Sequence, residues 1–182
     1  MIVGCQNTSK QKSDSPPQYL AKKEARSIVD SNQIKLKWDS LCQIRGCLVG
    51  GQRVWKGKWG GEGCIFSQNS NWVHFLSDVD KKQFTQFLIQ QVPNREKTNI
   101  HTCPFDIATK GELAIYCLQG LYLTNFYDLS PIFSKNDSLI SKKYNGSEQN
   151  WIWHIQKSKP LVDTLQKLWL QKLGNENLNY AK

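Results

Sequence analysis

Residues 109–123, TKGELAIYCLQGLYL, constrain the fold of this chain more than any other stretch. Thr109 and Glu112 have the spacing of a capping box, which marks the start of a helix. Nearly every residue after Glu112 is apolar, and a helix that is apolar all round is buried by its neighbours. The pattern therefore predicts a central helix around which the rest of the chain packs. Its predicted buried residues are Leu113, Tyr116, Cys117 and Leu121.

A second helix is predicted over residues 77–92, SDVDKKQFTQFLIQQV. Ser77 is the expected N-cap, Asp80 stands three residues later, and Pro93 stops the helix. The expected inner stripe consists of Phe84, Phe87, Leu88 and Val92.

Two more helices are predicted near the carboxyl end. One begins at Ser147 and places Trp151 and Ile155 on one face. The other has Ser158 as its cap, Pro160 in its first turn and Gly174 just after its end, and we expect Asp163 and Lys167 to pair one turn apart. Its apolar stripe consists of Leu161, Leu165, Leu168 and Trp169.

The remaining segments give weaker signals. Residues 18–30 and 34–44 each favour a short helix, and residues 94–108 read as a loop joining two strongly apolar helices. That helix pair is expected to pack antiparallel and resembles, weakly, a hairpin of HEAT-type repeats. The chain of 182 residues suits one domain. The predicted fold class is mainly α: a single small helical domain with an irregular Gly/Trp-rich segment and short extended pieces near 46–75.

That irregular segment is GCLVGGQRVWKGKWGGEG, residues 46–63, with seven glycines. It lacks the spacing of a phosphate-binding glycine loop. The simplest interpretation is an irregular surface loop held in place by its tryptophans. A short basic and aromatic patch inside it is the candidate partner-binding surface, because Trp and Arg are enriched at protein-binding hot spots. The candidate residues are Arg53, Trp55, Lys56, Lys58 and Trp59.

Near the amino end stand Ile2, Val3, Gly4 and Cys5. These four residues resemble the lipobox of bacterial lipoproteins. The resemblance implies that Cys5 carries a lipid, that residues 1–5 are the end of a signal peptide whose earlier part precedes Met1, and that Gln6 directs the protein to the outer membrane. Residues 6–18 have the polar composition of a flexible tether. We therefore expect a helical domain over 19–176, a frayed tail over 177–182 and a periplasmic location. If the lipobox match is accidental, the location is cytoplasmic.

The formal net charge is +9, of which +4 falls on residues up to Lys37. Positive charge near a tether favours an anionic lipid surface. The rest of the chain lacks the clustered basic stripe typical of nucleic-acid binders, so nucleic acid is not an expected partner.

The remaining cysteines have no C-x-x-C spacing, so neither a redox motif nor a zinc ribbon is indicated. A zinc site built with His101 stays an alternative, but no metal or other cofactor is predicted. In an oxidising compartment we expect Cys103 to bond to Cys117, with a second bridge within the earlier three cysteines. The disulfide candidates are Cys42, Cys47, Cys64, Cys103 and Cys117.

Three classes of function follow from these features; the third, nucleic-acid binding through the basic and aromatic patch, requires a cytosolic location and a steep salt dependence. The leading hypothesis is a non-catalytic lipoprotein that binds a protein; by analogy it is an immunity protein that neutralises a secreted toxin or cell-wall effector. The alternative is a cysteine hydrolase in which Cys64 is the nucleophile and His74 or His101 the base, with Glu62 as an orienting acid. No established nucleophile motif surrounds Cys64. A Cys64→Ser substitution discriminates the classes, because only the hydrolase loses its activity.

Overall fold

The computed structural model describes residues 31–48, 54–55, 58–59, 79–102, 106–134 and 148–179. These residues form a mainly helical domain with one hydrophobic core, as predicted. Within the described ranges no helix is both long and apolar enough to cross a membrane. The lipobox, the tether, the helix predicted over 18–30 and the last three residues lie outside the described part. The helices are α1 Ser31–Cys42, α2 Lys81–Gln91, α3 Lys110–Tyr122, α4 Glu148–Lys157 and α5 Lys159–Asn179.

Helix α3 is the centre of the fold, as its sequence predicts. The side chain of Thr109 accepts a hydrogen bond from the Glu112 N–H at 3.1 Å, and the Glu112 carboxylate accepts one from the Thr109 N–H at 3.2 Å. This confirms the capping box. Leu113, Tyr116 and Cys117 are fully buried, and Leu121 is partly buried against the core.

Helix α2 packs against α3 with its predicted inner stripe. Phe84, Leu88 and Val92 are fully buried, and Phe87 is half-buried. The helix ends at Gln91, before Pro93, as expected. Its N-cap is Asp80, whose side chain accepts from the Gln83 N–H at 2.8 Å, so the assignment of Ser77 as the cap was wrong.

The segment predicted as a loop between α2 and α3 is a β-hairpin instead. Strands β4 (Lys97–Thr102) and β5 (Asp106–Thr109) pair antiparallel, and β1 (Gly46–Cys47) joins β4 in parallel. Side chains alternate strictly along β4, with Thr98, Ile100 and Thr102 buried. The loop prediction was wrong because this period-two signal is carried mostly by threonines, which are β-branched but only weakly apolar.

Helices α4 and α5 complete the core. Trp151 and Ile155 are buried, as predicted, but α5 continues through Gly174 to Asn179. Gly174 is exposed, and a Cβ placed there meets nothing within 4 Å. The predicted stop was wrong because one exposed helical glycine costs only about 1 kcal/mol. Asp163 pairs with Lys159 at 2.9 Å, one turn before it, rather than with Lys167.

Candidate functional site

A small hairpin carries part of the basic and aromatic segment. Strand β2 (Val54–Trp55) pairs antiparallel with β3 (Lys58–Trp59), and Trp55 stands opposite Lys58 in the register. Arg53, Lys56 and the side chains of the other candidate binding residues lie outside the described part. Their assignment to a partner-binding surface stays a prediction.

Asn125 attaches this hairpin to the helical body. Its side-chain oxygen accepts from the Val54 N–H at 2.9 Å, and its amide nitrogen donates to the Val54 carbonyl oxygen at 3.2 Å. Val54 therefore pairs with an amide side chain much as it would pair with a neighbouring strand. The Asn125 amide also donates to Asp128 at 3.0 Å, which fixes its orientation.

The turn that presents Asn125 is itself held to α3. Leu123 ends the helix in the left-handed region, with φ of 46°. The Phe126 N–H then donates to the buried side chain of Gln119 at 2.8 Å. Asn125 thus projects from a turn that is hydrogen-bonded to the central helix. The bonds of Asn125 to Val54 then set the position of the hairpin relative to that helix.

A basic cleft opens at the other end of α3, with a volume of about 210 Å³. It lies where the start of β4, the end of β5 and helix α4 meet, so its residues are far apart in sequence. We call it the basic cleft. Its lining residues are Arg95, Lys97, Thr109, Trp153, Gln156 and Lys157.

Three cations line the basic cleft, and one of them is held in place. The Lys97 ammonium donates to the Ile107 carbonyl oxygen at 2.8 Å and lies 5.0 Å from the centre of the Trp153 ring. Arg95 and Lys157 are exposed, and neither forms an ion pair with a described residue. No carboxylate of the described residues therefore lies within ion-pair distance of these cations.

The inner wall of the basic cleft is built from buried polar groups. Gln156 donates to the Val92 carbonyl oxygen at 3.0 Å and accepts from the Thr109 hydroxyl at 3.2 Å. These bonds join α4 to the end of α2 and to the cap of α3. Gly111 lies directly against this wall: a Cβ there would collide with the Val92 carbonyl and the Gln156 amide.

Behind Trp153 lies the buried carboxyl group of Glu112. It accepts hydrogen bonds from the Trp153 indole N–H at 3.3 Å and from the Tyr116 hydroxyl at 3.0 Å. Burial raises the pKa of Glu112 to about 7, although the hydrogen bonds from Tyr116, Thr109 and Trp153 pull in the opposite direction. This carboxyl group fixes the indole that forms part of the cleft wall.

A second cavity, of about 330 Å³, lies around Lys110. The Lys110 ammonium donates to Asp39 at 2.7 Å and to Glu96 at 3.0 Å. Burial alone would lower the pKa of Lys110, but these two bonds outweigh it and raise that pKa above its ordinary value. Burial likewise opposes the effect of Lys110 and Lys35 on Asp39, whose pKa is lowered overall. Among the described lining residues, two lysines and two carboxylates balance each other here, whereas the basic cleft has three cations.

The candidate disulfide cysteines are only partly described. Cys42 has a free thiol that is fully buried, and burial raises its pKa to about 12. Cys47 lies in β1, and Cys117 is buried in α3. Cys64 and Cys103 lie outside the described residues, so the bridges that involve them stay predictions. Among the residues that the structure describes, no three metal-binding side chains cluster together.

The residues of the alternative hydrolase are not brought together in the described part. His101 is on β4, not in a loop, with its side chain exposed and its carbonyl oxygen bonded to the Leu48 N–H at 2.9 Å. Cys64, His74 and Glu62 lie outside the described residues. The hydrolase assignment therefore remains a hypothesis of the sequence.

No family model, no curated protein and no solved structure matches this chain. Its function is therefore inferred from its own contacts. The sequence singled out the basic and aromatic patch, though as an irregular loop rather than a hairpin, and gave no prediction of the basic cleft. The local signal for the cleft in the sequence is Arg95-Glu96-Lys97, in which two basic residues flank an acidic one.

Proposed function

We propose that this chain is a non-catalytic lipoprotein of the bacterial periplasm that binds another protein. A lipid on Cys5 holds the protein to the membrane. Gln6, the residue after the lipidated cysteine, directs it to the outer membrane. The resemblance of residues 2–5 to a lipobox and the polar tether over 6–18 support this location. The net charge of +4 on the first 37 residues supports contact with an anionic surface.

The observation that carries the binding proposal is the attachment of the β2–β3 hairpin. Both backbone hydrogen-bonding groups of Val54 are paired by the side chain of Asn125, which is only 8% exposed. A strand whose backbone is held in this way loses less conformational entropy when a partner docks on it. An immunity protein needs such a surface, because it must occlude a toxin or a cell-wall effector tightly.

A photo-crosslinking amino acid in place of Lys56 tests the binding proposal in cells that produce the full chain. Position 56 falls between β2 and β3 in the sequence, and Lys167 on the exposed surface of α5 gives the matched control. We expect one secreted or periplasmic protein to crosslink from position 56 alone, and Trp55→Ala with Trp59→Ala to abolish that crosslink. Equal crosslinking from both positions would contradict a binding role for the hairpin.

Anchoring has a separate test. Cells that express the complete reading frame are fed an alkyne fatty acid, and the protein is purified and examined by mass spectrometry. We expect lipid on Cys5 of the wild type and none on the Cys5→Ser protein. Wild-type protein without lipid would overturn the anchoring proposal and leave the binding test intact.

A further inference from the structure

We propose that the basic cleft is a binding site for a phosphate group carrying two negative charges, either free or as a monoester headgroup. This site goes beyond the proposed protein-binding hairpin, since none of its residues belongs to β2 or β3. Three observations carry it: the sorting of charge around β4, the fixed positions of the inner groups, and the size of the cleft.

At the start of β4, basic side chains line one cavity and the acidic side chain between them lines the other. Arg95 and Lys97 line the basic cleft, whereas Glu96 between them lines the other cavity and pairs with Lys110 at 3.0 Å. Lys157 adds a third cation from the end of α4. A concave site lined by one sign of charge concentrates counter-ions of the opposite sign. The cleft therefore attracts an anion.

The inner groups of the basic cleft are preorganised. Trp153 is held by its bond to Glu112, and Lys97, although exposed, is oriented by the Ile107 carbonyl and the Trp153 ring. The Lys97 ammonium has three donor hydrogens and uses one for Ile107, so among the described residues two have no acceptor and can face a ligand. Groups that already occupy their binding positions bind with a smaller entropic cost.

The number and kind of donors favour phosphate over carboxylate. The planar guanidinium of Arg95 can donate to two oxygens at once, and the two lysines act as point charges. A phosphate monoester offers three oxygens and close to two negative charges, whereas a carboxylate offers two oxygens and one charge. At about 210 Å³ the cleft is smaller than the 300–1,000 Å³ that pockets for drug-sized ligands occupy. It therefore suits a charged headgroup.

Titration of the full chain with inorganic phosphate tests the site, with binding followed by calorimetry at low ionic strength. We expect saturable one-to-one binding, weakened at least tenfold in Arg95→Ala/Lys157→Ala. The matched control is Lys82→Ala/Lys167→Ala, which removes the same charge from exposed positions of α2 and α5. An equal loss in the control, or no saturable binding, would overturn the proposal. Circular dichroism spectra of both variants establish that they are folded.

Two further arms identify the ligand class and its source. Acetate should bind at least tenfold more weakly than phosphate, and acetate binding as tightly would refute the assignment to phosphate. Vesicles of phosphatidylcholine with phosphatidic acid present a phosphate monoester on a lipid. If lipid is the source, those vesicles bind wild type, free phosphate displaces it and the double variant binds less. If free phosphate is the source, the titration saturates while vesicle binding is equal for both double variants.

Discussion

Replacement of Glu112 by Gln tests how the fold holds its buried carboxyl group. The side chain of Glu112 is 0% exposed. One of its oxygens accepts from the Thr109 N–H and the Trp153 indole, and the other accepts from the Tyr116 hydroxyl. Glutamine has the same shape: its oxygen can take the first two bonds, and its amide can donate to Tyr116. The substitution therefore removes the titration with little change in packing.

The expected effect follows from the pKa of Glu112, which burial raises from the ordinary 4.5 to about 7. Between these pH values the folded protein keeps a proton that the unfolded chain has released. The contribution of Glu112 to stability is therefore greatest below pH 4.5, falls as the pH rises, and levels off above about 7. Each pH unit in this window costs about 1.4 kcal/mol, so the full loss is about 3 kcal/mol.

Urea unfolding followed by circular dichroism between pH 5 and pH 8 measures this loss. Across that range the wild type should lose about 2–3 kcal/mol more of its free energy of unfolding than Glu112→Gln does. Asp106→Asn removes the same charge from an exposed position of β5 and controls for net charge. Parallel curves for the wild type and Glu112→Gln would refute the reasoning, because they would mean that the carboxyl group titrates alike in both states.

Other substitutions test single features of the fold. Gly174→Ala should raise the free energy of unfolding by about 0.5–1 kcal/mol, because a Cβ meets open space there. Gly111→Ala should lower it by about 1–3 kcal/mol, because its Cβ collides with the wall of the basic cleft. Urea unfolding measures both changes, and equal effects would contradict the difference in packing between the two glycines. Asn125→Ala removes both hydrogen bonds to Val54, so trypsin should cut after Lys56 or Lys58 faster than in the wild type. Mass spectrometry of the fragments measures the rate of cleavage. An unchanged rate would refute the idea that Asn125 holds the hairpin. Cys42 is 0% exposed with a pKa of about 12, so iodoacetamide at pH 8 should label it only when urea is present; rapid labelling of native protein would contradict its burial.

The helices could be predicted from the sequence wherever local chemistry decides the structure. The capping box at Thr109 and the stop at Pro93 depend on neighbouring residues alone, and both predictions are confirmed. The prediction for Gly174 was wrong because glycine permits a helix end without imposing one. In α5 the helix continues to Asn179, with Leu173 buried one residue before the glycine. A rule based on the residues next to Gly174 could not show that the helix continues past it.

Strand β4 and the basic cleft could not be predicted because both depend on partners distant in sequence. The threonines of β4 become inward-facing only when paired with β5. Lys97 and Trp153 are brought together by the packing of α4, and no local pattern contains both. By contrast, the basic and aromatic residues near Trp55 are contiguous, so the sequence alone singles them out as a candidate surface.

The basic cleft owes its charge to a residue that does not line it. Arg95, Glu96 and Lys97 together carry a single net positive charge, and a chain that kept them side by side would present little to an anion. Lys110 is buried at the start of α3 and pairs with Glu96, as well as with Asp39. Because that lysine needs carboxylates to offset its burial, Glu96 is held on the other cavity and pairs there rather than with Arg95 or Lys97. The ion pair at the start of α3 thus joins Glu96 to Lys110 in the second cavity, while Arg95 and Lys97 line the basic cleft.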